Sequence, residues 1–396
     1  MKLLRFLLFC QMVLLLTGCW DRREVNDLAI VTAAGVDKKT GKTIELSVQV
    51  YIPKAAGAGP SGMGGGGGSG TAPQTLVRSA VGVTIAEAMA KLQEQIPRKI
   101  FWGHNDVFII DEKLAKEGIR PYIDFLLRHP QTRERAFVFI SKETSREILS
   151  LNPPLEKNIA DVLRELAKFQ IGMKVTIKDL AQMLAGNTRA AAAPRIIMLS
   201  PEEGEDEKKT IAYEKGSAIF KKDKLVGFLD DKLTRGVLWL RNEIKSTTIT
   251  IAPKEAKGFV SMQLLRSTAE IIPKIKDDEW SITVKLETED DIVQNTTNLD
   301  TSNPKVTRLL AKHMEEDIKN RVKMVLAQVQ KKMKADIFGF GEAFHRKYPK
   351  EWDEVKDRWD EVFPKVKVNI RVKVWVRRPG LVTEQADMPK KEVKKE

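Results

Sequence analysis

The hydrophobic pattern predicts an α+β chain of two to three small domains, each a mixed or antiparallel sheet packed with helices. Three observations carry this. Strand-like and helix-like stretches alternate as far as Leu149. Four strand-like runs then follow at a spacing of roughly 10–12 residues, between Ser246 and Thr288, the rhythm of an antiparallel meander. Last, an apolar stripe runs from Val306 through Leu310, Met314, Ile318, Val322, Val325 and Val329 to Ile337. Its repeat of three or four positions predicts a long amphipathic helix covering one face of a sheet. With 396 residues, 42% hydrophobic and 31% charged, the chain has ample material for buried cores.

The elements follow in chain order. Leu28 to Val36 and Thr43 to Ile52 read as adjacent strands turning at Lys38 to Gly41. Residues 55–73 hold nine of the 25 glycines, the composition of a flexible disordered loop. A phosphate-cradling loop would need a Gly-Lys-Ser/Thr there, and no Lys follows. After a strand from Thr75 to Val81, Thr84 and Glu87 form a capping box for a helix that stops at Ile96, before Pro97. Asp106 to Ile110 is a strand, Asp111 to Gly118 and Pro121 to Leu127 are helical, Arg135 to Ser141 is a strand and Thr144 to Leu149 a helix. Asn152-Pro153-Pro154 punctuates the end of this α/β domain, residues 19–152.

A middle α/β region, 153–245, holds helices at Ile159 to Phe169 and Ile177 to Leu184. A hairpin follows, Ala218 to Phe220 and Leu225 to Leu229 around Lys222-Asp223, and then a helix from Leu233 to Leu240. The third domain, 246–380, has strands at Ser246 to Ile251, Gly258 to Leu265, Ala269 to Ile275 and Trp280 to Thr288, then the long helix. Gly339-Phe340-Gly341 breaks that helix, and two aromatic turns carry Phe344, Tyr348, Trp352, Trp359 and Phe363. Val366 to Val376 alternates strictly and is expected to close the antiparallel sheet as a half-buried strand. A charged tail, 381–396, ends the chain.

The first 18 residues differ in kind. Lys2 and Arg5 precede an apolar segment from Leu7 to Leu16 that ends in Thr17-Gly18-Cys19. This is the build of an export signal, too short to span a bilayer comfortably. Small residues before a Cys let the segment lie extended in a peptidase, and the thiol offers an attachment atom for a diacylglyceryl group. The pattern resembles the bacterial lipoprotein lipobox. It predicts cleavage between Gly18 and Cys19 and a lipid on the Cys19 sulfur. Two acyl chains, at about 0.8 kcal/mol per buried methylene, hold a protein durably where one is marginal. The two cysteines, Cys10 and Cys19, both lie here, which excludes a disulfide scaffold and a Cys-rich zinc site. No other apolar run is long enough for a bilayer, which excludes a polytopic channel.

The charge is uneven. Lys and Arg number 67 against 54 Asp and Glu, and residues 301–396 hold +9 of the net +13. Nucleic acid is a poor fit for an exported protein, so no nucleic-acid partner is expected. Attraction to an anionic membrane surface, at about 1 kcal/mol per basic residue near it, and a solvated face whose lysines deter edge pairing both stay open. His104, His129, His313 and His345 are scattered. No Ser/His/Asp or Cys/His constellation, paired carboxylates or H-E-x-x-H occurs, so no catalytic residue, metal or cofactor is expected. The Trp352, Trp359 and Phe363 stripe reads as core rather than as a ligand cage.

Several stretches together resemble the Ger(x)C family, the lipoprotein C subunit of spore germinant receptors. They are Gly18-Cys19-Trp20-Asp21-Arg22-Arg23-Glu24-Val25-Asn26; His104 to Ile110 with Leu126-Leu127-Arg128 and Arg133; Phe220 to Leu229 with Thr234-Arg235-Gly236; and Phe338-Gly339-Phe340-Gly341 through Trp352, Trp359 and Phe363-Pro364 to Arg378-Pro379-Gly380. The resemblance implies three small α/β domains without enzymatic residues. It also implies attachment to the outer face of the spore inner membrane, beside two polytopic receptor subunits, one of them permease-like. Cys19 alone transfers as a functional residue. A lipid-anchored solute-binding protein is the alternative.

Overall fold

The computed structural model describes residues 27–51, 75–204 and 206–380. Gly18, Cys19, Trp20 and the glycine-rich stretch 55–73 lie outside the described residues. Runs of Val, Ile, Leu and Ala with few charges build strands that can be buried on both faces. Eight of them form one sheet: β1 (Leu28–Lys38), β2 (Ile44–Tyr51), β3 (Thr75–Gly82), β5 (Val107–Asp111), β6 (Phe137–Ser141), β7 (Ala190–Met198), β8 (Ala212–Lys221) and β9 (Lys224–Leu229). Their order is β3-β2-β1-β5-β6-β7-β8-β9, and a short β4 (Lys99–Phe101) pairs with the start of β1. The centre, β1-β5-β6-β7, is parallel and both flanks are antiparallel. This sheet runs through residue 152, taking strands from both 19–152 and 153–245.

Helices cover both faces. Phe108 and Ile110 of β5 join one core with α1 (Ile85–Gln95), α2 (Glu112–Glu117), α3 (Arg120–Arg128) and α6 (Ile177–Ala185). Val107 and Ile109 join the other, with α4 (Ser145–Leu149) and α5 (Ile159–Phe169). Thr84 caps α1 as its spacing from Glu87 predicts: its side chain accepts from the Glu87 amide. β7 carries no strand signal in sequence, because four alanines and Pro194 look like neither a strand nor a helix. Its alanines are buried, and that lack of bulk suits the close approach of α6, which packs on this strand.

The second sheet is β10 (Thr248–Ile251), β11 (Val260–Lys276), β12 (Glu279–Asn295) and β13 (Lys367–Arg378), in that order. The runs expected at Gly258 to Leu265 and Ala269 to Ile275 are one 17-residue strand, bulged between Leu264 and Arg266. Asp277 and Asp278, both at positive φ (50° and 58°), make its two-residue turn into β12. α7 (Asp231–Leu240) and α8 (Pro304–Leu326) pack beside one another and against this sheet. Gly236 permits their contact, since a Cβ there would lie 2.5 Å from Val325 Cγ2.

Two expectations are corrected. The final strand does not close an antiparallel sheet; β13 runs parallel to β12, with Ile282 opposite Val368 and Leu286 opposite Val372. α8 and the turns after it carry the chain back to the end where β12 began, and such a crossover gives a parallel pair. Strict alternation reports a half-covered sheet, not its direction. The long helix also stops short of Ile337. After Leu326 it widens into a π turn, Ala327–Met333, and Lys334 at φ 53° ends it. The extra residue per turn swings Gln330 inward. There its Nε2 donates to the carbonyls of Phe363 and Val366 at 2.8 Å each, fixing the entry to β13.

Candidate partner-binding surfaces

Beyond the π turn the chain wraps around one carboxylate. Asp336, fully enclosed, accepts from the amides of Phe338 (3.3 Å), Phe340 (3.2 Å) and Gly341 (2.7 Å) and from Trp359 Nε1 (3.0 Å). Burial raises its pKa and the four donors oppose that rise. Around it α9 (Phe340–Lys347), α10 (Pro349–Val355) and α11 (Trp359–Val362) set Trp352 edge-on to Trp359 at 5.0 Å, Phe340 edge-on to Phe363 at 6.0 Å and Phe344 tilted against Trp280 at 4.6 Å. Trp352, Phe344 and Phe363 are almost wholly buried, so the aromatic stripe is core. Gly341 is required, because a Cβ there would lie 2.6 Å from Thr188 and 2.8 Å from Trp352. Sequence reading does not single out Asp336; nothing distinguishes it from other acidic residues until the fold closes.

The His104-Asn105-Asp106 stretch meets Arg133 in space. Asp106 accepts from Arg133 at 3.0 Å and from Arg164 at 3.3 Å, and His104 Nδ1 lies 3.3 Å from Arg133. This ion network ties the start of β5 to α5 and to the loop before β6. Thr234 and Ser217 share a buried hydroxyl contact at 2.9 Å. These motif residues hold elements together. Among the described residues no cluster of His, Cys, Asp and Glu could hold a metal ion.

Two recesses flank these elements. A cleft of about 610 Å³ separates α6 and β7 from the Asp336 loop. Arg241 on its wall is engaged by Glu243 and the Ile337 carbonyl, and Glu342 by Asn187. A groove of about 770 Å³ lies between the end of α8 and β13 and is lined by lysines. Among the described residues no helix is long and apolar enough to cross a membrane.

The family described as Spore germination protein N-terminal domain matches residues 21–198, and the one described as Spore germination B3/GerAC like, C-terminal, matches 215–380. Spore germination protein KC of Bacillus subtilis (strain 168) is 31% identical over 96% of this chain and 96% of its own. The chain belongs to the GerAC family of spore germination proteins. Spore germination protein A3 of the same organism is 23% identical over 93% of this chain and 95% of its own. The crystal structure of the GerBC protein superposes with a TM-score of 0.58 at 16% identity, covering 89% of this chain and all of that one. That likeness shows the fold: a GerAC-family chain of mixed α/β architecture.

Proposed function

We propose that this GerAC-family chain is a lipid-anchored, non-enzymatic subunit of a spore germinant receptor, working with polytopic membrane subunits in nutrient-triggered germination. Full-length similarity to spore germination proteins KC and A3 supports the role in germination. The single observation that carries the anchoring is Leu16-Thr17-Gly18-Cys19 at the end of the export signal. A diacylated Cys19 would hold the folded body at the outer face of the spore inner membrane. Confinement to that surface raises the effective concentration beside the other subunits, so modest contacts suffice. The motif residues support a scaffolding part, since Asp106, Arg133, Thr234, Gly236 and Gly341 are all engaged in packing or pairing within the chain.

Intact-mass measurement of the protein extracted from spore membranes tests this. A mature chain that begins at Cys19 and carries a diacylglyceryl adduct is expected. A bare thiol, or a chain that washes off in buffer, would contradict it. Solute binding by the isolated soluble part, read by calorimetry against candidate nutrients, would instead favour the solute-binding alternative.

A further inference from the structure

β13 is the last strand of its sheet, with β12 on one side and no strand on the other among the described residues. The Val374 amide donates to the Glu315 carboxylate of α8 at 3.1 Å. The N–H groups of the even-numbered residues therefore point away from β12, and in a parallel strand each residue's C=O shares that side. Val368, Ile370 and Val372 thus present main-chain donors and acceptors along an open edge.

The lysine-lined groove runs beside this edge. Lys319, Lys323, Lys331, Lys365, Lys367 and Arg371 line it, with no carboxylate among the described lining residues. Lys367 pairs with Glu279 and Lys331 donates to the Pro364 carbonyl. Further along β13, Lys373 and Arg377 find Glu315 and Glu289. Lys319, Lys323, Lys365 and Arg371, all exposed, pair with no described carboxylate, and they collect at the groove.

We propose that this edge takes an extended, acidic segment of a partner polypeptide as an added strand. Its main chain would pair with Val368, Ile370 and Val372, and its carboxylates would meet Lys319, Lys323, Lys365 and Arg371. Edge lysines deter self-association, but that purpose needs only the strand's own charges, and Lys319 and Lys323 come from α8. A second copy fits poorly, because pairing β13 with itself would oppose like charges. A flat anionic bilayer would meet the cations yet leave the groove and the backbone edge unused. The edge would serve a partner whether or not Cys19 carries lipid, so it stands apart from the receptor role above.

The test uses the full chain in detergent, titrated into a fluorescein-labelled ten-residue peptide of alternating Glu and Val and followed by anisotropy. A second peptide of equal charge has alternate amides N-methylated, which removes strand pairing. Binding of the parent peptide is expected, weakened about tenfold or more by the Lys323→Glu, Arg371→Glu pair and about tenfold by N-methylation. An unchanged melting temperature checks that the variant folds. Absence of peptide binding, or equal binding of the methylated peptide, would overturn the proposal. So would phosphatidylglycerol vesicles bound through Lys323 and Arg371 without competition from the peptide, or a dimer that the peptide dissociates.

Discussion

Asp336 shows how much one side chain can organise. Four N–H groups converge on its carboxylate where α8 gives way to the aromatic turns. Asp336→Ala would strand those donors in the core, and we expect a loss of about 3–5 kcal/mol in denaturant unfolding. Glu214 offers a pH test. Burial pushes its carboxyl up to about 8, with the Met173 amide opposing the rise and Asp231 adding to it. Glu214 is half-buried, and Gly172 presses close on it, since a Cβ there would lie 2.3 Å from the Glu214 Cδ. The native chain therefore holds this proton more firmly than the unfolded one. Between the ordinary value of 4.5 and about 8, stability from this group falls as pH rises and is flat above. Glu214→Gln should flatten that fall, read as a smaller change in denaturant midpoint between pH 5 and pH 8. Neither residue is legible in sequence, because their roles come from partners far along the chain.

At the scale of elements, periodicity predicted most of what forms. The capping signal at Thr84 sits where a helix begins, and the apolar stripe from Val306 to Val325 faces the sheet. Local pattern failed where geometry is set at a distance. β7 is a strand because it pairs with β6 and β8, which its alanine-rich composition does not announce. The direction of β13 follows from the crossover through α8, and the π turn follows from Gln330 finding the carbonyls that precede β13. The glycine of Thr234-Arg235-Gly236 is explained by the α7–α8 contact. Gly236→Ala would press on Val325 and should cost about 1–3 kcal/mol. Adding Val325→Ala relieves the clash, and a double-mutant cycle in urea should show a favourable coupling; strict additivity would contradict the contact.

For the whole molecule, two sheets joined through α7, α8 and the Asp336 loop give a body with no described membrane-spanning helix. On the reading proposed above, the durable hold on lipid comes from a diacylated Cys19 sulfur. Cys19→Ala should move most of the protein from the spore membrane fraction to the soluble fraction, because loss of the diacyl group removes about 0.8 kcal/mol for every methylene it buries. The family of the chain was legible from its first 26 residues and its spaced motifs, whereas the basic groove needed α8 and β13 brought side by side. The most direct measurement of the central claim is affinity purification of the tagged chain from detergent-solubilised spore membranes, with co-purifying proteins identified by mass spectrometry. Two polytopic subunits, one permease-like, should come with the wild-type chain and be lost with Cys19→Ala. A wild-type chain that purifies without any polytopic protein would contradict the account.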